Sequence, residues 1–266
     1  MEAQMTTDPM KPIDPLKPLA GRTAIVTGSG RNLGRGMILA FAKAGANVVV
    51  NGHRDQAAIE AVADEARALG AEALTILADV SQPDEVVRMV AETVDRFGSA
   101  DIAVANVGLR PRQAFLDISV EDWRRVIETN LSSAFYLARA VLPEMKKRNW
   151  GRIIHISGRD GFFTISHRAH NVTCKAGLHS LAKAIAVEFG EFNITANTIA
   201  PGKMDTVRDE KHYPGYQAAW AEAVKVMPLR RLGTAEDVGE ACVYLACGGE
   251  YVTGQLLHLN GGEFVF

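Results

Sequence analysis

Between Thr27 and Gly36 the chain runs Thr-Gly-Ser-Gly-Arg-Asn-Leu-Gly-Arg-Gly, concentrating glycine in one short segment. Glycines let a backbone approach a bulky anion, and the amides that open a following helix hold negative charge, so Gly28, Gly30, Arg31, Asn32, Leu33 and Gly34 suit a pyrophosphate. The implied chemistry is dinucleotide binding. Where such a site takes an unmodified ribose, a carboxylate at the end of the second strand accepts from the hydroxyls. Gly52 occupies that place, followed by His53 and Arg54. Arg31 and Arg54 could together grip a 2′-phosphate, and charge complementarity therefore favours NADP(H) over NAD(H).

Other chemistries find less support. Lys and Arg are scattered among Asp and Glu for a net charge of −2, so no electrostatic footprint for nucleic acid or an anionic membrane is expected, and a small molecule is the expected partner. Cys174, Cys242 and Cys247 form no C-x-x-C pair and lie near no His at ligand spacing, which predicts free thiols and no metal. The first residues carry Pro9, Pro12, Pro15 and Pro18 and no cationic-then-apolar signal, so a flexible arm over residues 1–19 and a cytoplasmic protein are expected.

Positioning the glycine-rich turn requires strands alternating with helices. Strands are predicted at Thr23–Thr27, Asn47–Asn51, Ala73–Ala78, Asp101–Ala105, Arg152–Ser157, Asn193–Ile199 and Gln255–Leu259. Apolar runs such as Val48-Val49-Val50 read as strands covered on both faces. Helical spacing occupies Leu33–Ala44, Ala57–Leu69, Asp84–Phe97, Glu121–Lys147, Val172–Phe189 and Ala235–Ala246, with Gly45, Gly70, Gly98 and Gly190 closing four of them. The expected fold class is α/β: a single-domain, Rossmann-type, doubly wound sheet of about seven parallel strands over residues 20–266, with its crevice beyond the strands' carboxyl ends.

Taken in order, these segments resemble the short-chain dehydrogenase/reductase superfamily from Leu19 to Gly262, and 3-oxoacyl-carrier-protein reductase-like members in particular. The fingerprint Thr-Gly-x-x-x-Gly-x-Gly is similar to Thr27, Gly28, Asn32 and Gly34, with Asn32 in place of the central glycine. Asn is the side chain that best accepts a positive φ. Asp79-Val80, Asn106-Val107-Gly108, Pro201-Gly202 with Met204 and Thr206, Glu236-Asp237-Val238, Tyr251–Gln255 and Asn260-Gly261-Gly262 continue the match. The resemblance implies cofactor contacts at the fingerprint and at the first three of these further groups, and implies an NAD(P)-dependent oxidoreductase.

It also implies a proton-transfer set that is only partly present. Lys175 and Asn130 match the family's Lys, which contacts the ribose and nicotinamide, and the Asn of its water relay. The family's Tyr, four residues before the Lys, is Asn171, and its Ser, thirteen places earlier, is Gly158. An amide does not titrate near neutral pH and glycine has no donor, so conventional carbonyl reduction is in doubt.

Three accounts stay open. A relocated donor in the Gly158–His170 segment could act on a carbonyl, alcohol or enone, with His167 as the residue to test and His170 a weaker candidate. The protein could instead bind NADP(H) silently, as a sensor or partner subunit. The fold could also host a non-redox elimination or isomerisation.

Arg110, Arg112, Arg159 and Arg168 could form a basic rim for an anionic substrate, and His212-Tyr213-Pro214-Gly215-Tyr216 falls where the family carries a mobile lid. Apolar stripes at Leu131, Phe135, Leu137, Ala138, Val141 and Leu142, and at Leu178, Leu181, Ala182, Ile185 and Ala186, exceed what one sheet face must bury. In the resembled family those two helices form a dimer interface, so a homodimer or homotetramer is expected.

Overall fold

The computed structural model describes residues 14–207 and 215–265. Seven parallel strands form one sheet in the order β3-β2-β1-β4-β5-β6-β7. They are β1 Thr23–Val26, β2 Asn47–Gly52, β3 Ala73–Leu77, β4 Ile102–Ala105, β5 Gly151–Ile156, β6 Ile194–Pro201 and β7 Leu256–Leu259. The helices are α1 Asn32–Lys43, α2 Gln56–Ala68, α3 Pro83–Phe97, α4 Val120–Ile127, α5 Ser133–Lys147, α6 Ala169–Phe189, α7 Tyr216–Val224 and α8 Ala235–Val243. Strand order reverses between β1 and β4, which opens a crevice at their carboxyl ends.

Each sheet face carries its own core. Phe41, Ile38 and Val62 from α1 and α2 meet Val238 and Leu245, from and just beyond α8, over Val48 and Ile154. On the opposite face Val86 and Met89 of α3, Leu137 and Val141 of α5, and Leu178 and Ile185 of α6 cover Val49 and Ile153. Coverage on both sides explains why β1, β4, β5 and β6 are buried at every position and show no period-two alternation.

Several expectations change in detail. Leu19, the last residue of the expected flexible arm, is 1% exposed within the first core, and its amide donates to Ala44 O, so packing begins at Leu19 rather than after it. Gly45, Gly70 and Gly98 take positive φ after their helices, but Gly190 does not; Asn193 makes that left-handed turn instead. The expected helix from Glu121 to Lys147 is interrupted by a π turn at Glu128–Ser132. A second π turn, Tyr244–Gly248, follows α8. Helix α6 starts at Ala169 and so includes His170 and Asn171, while α7 lies in a stretch whose sequence predicts no helix.

Of the apolar stripes, Leu137, Ala138, Val141, Leu142, Leu178, Ala182, Ile185 and Ala186 are core. Phe135 is 48% exposed and, with Leu131, Tyr136, Gly177 and Leu181, lines an open apolar groove across α5 and α6. Cys174 and Cys242 are buried thiols, and Cys247 is partly buried. Among the described residues no helix is long and apolar enough to cross a membrane, and no cluster of His, Cys, Asp and Glu could hold a metal ion.

Candidate active site

The glycine-rich turn is built by close contacts that exclude side chains. Gly28 has φ +61, and a Cβ there would meet Val107 Cγ2 at 2.8 Å. A Cβ on Gly34 would lie 2.5 Å from both Gly28 O and Ser29 Cα, so the turn and the first turn of α1 can touch only through glycine. A Cβ on Gly30 would come to 3.2 Å from Ile59 Cγ2. Asn106 fastens the turn to the end of β4, its Nδ2 donating to Thr27 O at 3.0 Å and Gly28 O at 3.1 Å. Arg31 is extended and exposed immediately before α1, and Leu33 packs against the first core.

Asn32 takes φ +49, as its replacement of a glycine requires, and its side chain does something glycine cannot. Its Nδ2 donates to Val207 O at 3.2 Å, and its Oδ1 accepts from Val207 N at 3.1 Å. The glycine-rich turn is thereby tied across the crevice to the segment leaving β6. Within that segment Pro201 and Met204 are buried, Met204 bridges Gly233, and Thr206 Oγ1 donates to Met204 O at 3.4 Å. Gly202 lies against Asn260, where a Cβ would be 2.9 Å away. His212, Tyr213 and Pro214 of the expected lid lie outside the described residues, whereas Gly215 precedes α7 and Tyr216 stacks edge-on against Trp220 at 4.8 Å.

At the end of β2, a Cβ on Gly52 would stand 2.7 Å from Ile59 Cγ2, so the position has no ready room for a carboxylate. His53 and Arg54 are exposed, with His53 Nε2 3.6 Å from Asp79 Oδ2. Burial pushes the Asp79 carboxyl up, but hydrogen bonds from the Ser81 amide and hydroxyl and the nearby His53 and Arg54 hold it below its usual range. Val80 beside it is core.

The π turn delivers Asn130 into the crevice, as such one-residue expansions often do at functional sites. Asn130 is 1% exposed; its Oδ1 accepts from Leu109 N and its Nδ2 donates to Leu109 O, both at 2.7 Å. The same Nδ2 donates to Asn171 Oδ1 at 3.2 Å. Asn171 Nδ2 in turn donates to Asp160 Oδ2 at 2.7 Å, and Arg168 Nη1 donates to that oxygen at 2.9 Å. Lys175, one turn beyond Asn171, donates from Nζ to Ile156 O at 2.8 Å and lies close to Gly108. Burial pushes its amine down to about 7, and the positive charge of Arg110 adds to the shift.

The structure thus brings Asn130, Asn171, Lys175 and Gly108 together and adds Asp160 and Arg168. His167 does not join them. It is exposed at φ +68, and its carbonyl accepts from Gln113 N. His170 is fully buried: its Nδ1 accepts from Asn171 N at 2.9 Å, which leaves Nε2 to donate to Gln113 Oε1 at 3.1 Å. Burial lowers its pKa. Arg159 pairs with Glu263 and Arg168 with Asp160, whereas Arg110 and Arg112 are exposed, so the expected basic rim reduces to these two.

Two functional candidates carry no mark in the sequence. Asp160 stands inside the pocket-lining segment without a motif to single it out. His179, four residues after Lys175 and so on its helix face, places Nε2 2.7 Å from Ser157 Oγ. Burial, with help from His258, Lys183 and Lys175, pushes His179 down to about 4. Gly158, beside Ser157, has φ +147 and ψ 178, a conformation essentially confined to glycine.

A doubly wound sheet with a glycine-rich turn at its switch point and a buried Lys and two Asn across the crevice defines a dinucleotide-dependent class of enzyme. Residues 28–263 match the family model described as Enoyl-(Acyl carrier protein) reductase. The chain is 36% identical over 254 residues to a D-beta-hydroxybutyrate dehydrogenase of Rhizobium meliloti (strain 1021), covering 91% of this chain and 98% of that protein. It is 34% identical over 247 residues to a 3-oxoacyl-acyl-carrier-protein reductase of Staphylococcus epidermidis, covering 92% and 99%. A crystal structure of a short-chain type dehydrogenase/reductase from Mycobacterium marinum matches with a TM-score of 0.84 at 33% identity, over 94% of this chain and 98% of that one. The chain belongs to the short-chain dehydrogenase/reductase family of oxidoreductases.

Proposed function

We propose that the protein is an NADP(H)-dependent oxidoreductase of atypical mechanism, acting on a small molecule that carries an alcohol, carbonyl or conjugated carbonyl. The observation that carries this is the coexistence of an intact cofactor crevice with one connected polar set, Asn130, Asn171 and Asp160, beside the buried amine of Lys175. When bound, the nicotinamide supplies or accepts the hydride. Gly28, Gly30, Asn32 and Gly34 would shape the turn that holds the pyrophosphate, Asp79 and Val80 would hold the adenine, and Asn106, Gly108, Lys175, Pro201, Gly202, Met204 and Thr206 would hold the nicotinamide end.

The phosphate preference rests on Arg31 and Arg54 with no carboxylate at Gly52. Replacing both arginines by Ala is expected to weaken NADPH at least about 10-fold and leave NADH within about twofold. Isothermal titration of each cofactor checks this, and equal weakening of both would show that the arginines do not read the 2′-phosphate.

Asn32 supports a second expectation. Glycine accepts φ +49 without strain, so Asn32→Gly removes the two bonds to Val207 and little else. Two exposed hydrogen bonds together are worth about 1 kcal/mol, so NADPH should leave about fivefold faster in stopped-flow fluorescence. An unchanged release rate would mean the tie does not hold the crevice shut.

A silent binding role is favoured by one feature, the glycine-only backbone at the family's serine position. Turnover of any alcohol or ketone by the wild type, with consumption or formation of NADPH, excludes it. The open groove of Leu131, Phe135, Tyr136, Gly177 and Leu181 fits the expected homodimer or homotetramer, and a cytoplasmic location fits the expected reduced thiols.

A further inference from the structure

We propose that Asp160 is the group that exchanges the substrate's proton, and that the site is set to oxidise a secondary alcohol; this rests on the oxidoreductase function proposed above. Asn171 is shorter than the tyrosine whose place it takes, and its Nδ2 ends on Asp160 Oδ2 at 2.7 Å. Asparagine side chain and carboxylate thus form one hydrogen-bonded pair that starts from α6. The pair sets a carboxylate beside Asn171, and Asp160 is near enough to Lys175 to act on its charge.

The pattern of bonds gives this oxygen a direction of action. Both contacts on Oδ2 come from N–H donors, Asn171 Nδ2 and Arg168 Nη1. No hydrogen bond from the described residues falls on Oδ1, and the side chain keeps 13% of its surface open. Oδ1 is therefore the oxygen left for a substrate hydroxyl to meet, and a carboxylate oxygen in that place can take the proton of an alcohol. The guanidinium groups of Arg110, from the segment after β4, and of Arg168, together with the protonated fraction of Lys175 from α6, favour negative charge building on a substrate oxygen. His179 from α6 is kept neutral and engaged with Ser157, and Glu263 is engaged with Arg159 and Lys203, so neither competes for the proton.

The step balances as an alcohol oxidation. The substrate O–H bond breaks and its proton passes to Asp160 Oδ1. The electron pair left on oxygen forms the C=O bond as the carbinol C–H bond breaks. That hydride, with two electrons, goes to NADP⁺ as co-reactant, and the proton leaves Asp160 for solvent. Arg168 acts as a positioning residue, through Asp160 alone.

The test uses the full chain with NADP⁺ and three probes: D-3-hydroxybutyrate, 2-butanol and cyclohexanol. Asp160→Asn is expected to lower kcat by about 10²- to 10⁴-fold while NADP⁺ affinity by isothermal titration stays within about twofold. The wild-type rate should fall at acid pH as the base is protonated, the residual activity of Asp160→Asn should lack that limb, and Asp160→Glu should recover part of kcat. Independently of turnover, protein labelled with 13C at the aspartate carboxyls should show one resonance, missing in Asp160→Asn, with the shift of an ionised carboxylate at neutral pH. A protonated carboxyl there, an Asp160→Asn variant as fast as wild type, or NADP⁺ binding with none of the three alcohols oxidised would each overturn the proposal and leave the cofactor assignment standing. Absence of any NADP(H) binding by folded protein would bring down the function on which it rests.

Discussion

Gly34→Ala should all but abolish cofactor binding, raising the Kd for NADPH at least about 100-fold, equivalent to about 2.7 kcal/mol. The added Cβ would stand 2.5 Å from Gly28 O and from Ser29 Cα, and both are backbone atoms that no rotamer change can move aside. Relief requires the turn to separate from α1, which displaces the amides that would meet the pyrophosphate. Asn106 adds resistance, since its Nδ2 is also only 3.1 Å from that Cβ position. Overpacking of this kind costs about 1–3 kcal/mol of stability, so the thermal midpoint should fall as well. Isothermal titration and calorimetry on the same sample check both effects. A variant that binds NADPH with wild-type affinity would show that the turn is not where the phosphates sit.

The second large effect concerns Gly158 and Asn171. Replacing them together, Gly158→Ser with Asn171→Tyr, is expected to lower stability and to yield no carbonyl reductase activity. At φ +147 and ψ 178 a serine is strained by about 1–3 kcal/mol, although its Cβ has room, with Pro201 O no nearer than 3.9 Å. Asn171 is 1% exposed, and a phenol in its place would have to push Asp160 aside and with it Arg168. At about 2–4 °C per kcal/mol for a chain of this size, a drop of several degrees in Tm should accompany the double substitution. NADPH consumption with a panel of ketones and enones, compared with wild type, is the second measurement. Ketone reduction gained with no loss of Tm would mean that a serine and a tyrosine fit these two places without displacing Asp160 and Arg168.

How legible each feature is in the amino-acid sequence depends on the range over which it is encoded. Val48-Val49-Val50 and Gly28–Gly34 announce a doubly covered strand and a tight glycine turn before a helix because contiguous residues create both the pattern and the local geometry. Lys175 and Asn130 stand out because their order and spacing resemble a known arrangement, and Asn171 because it departs from it. His167 shows the limit of that approach, since a place in the right segment does not bring its side chain into the site. The π turn at Glu128–Ser132 is hidden because one extra residue per turn barely disturbs a helical period, yet it aims Asn130. Leu19 reads as part of the arm because neighbouring prolines signal extension, and burial against residues far along the chain outweighs that signal.

By itself, then, the order of residues determined the α/β winding, the glycine-rich turn, the glycine at position 52 and the presence of Gly158 and Asn171 ahead of Lys175, all properties of short stretches. Tertiary structure alone decided that Asn171 ends on Asp160, that Arg168 holds that carboxylate, that Ser157 meets His179 and that Asn32 ties the crevice to Val207, 175 positions away. The reason is geometric: hydrogen bonds act within about 3 Å, and which distant side chains come that close is set by how sheet and helices pack, a quantity no local period records.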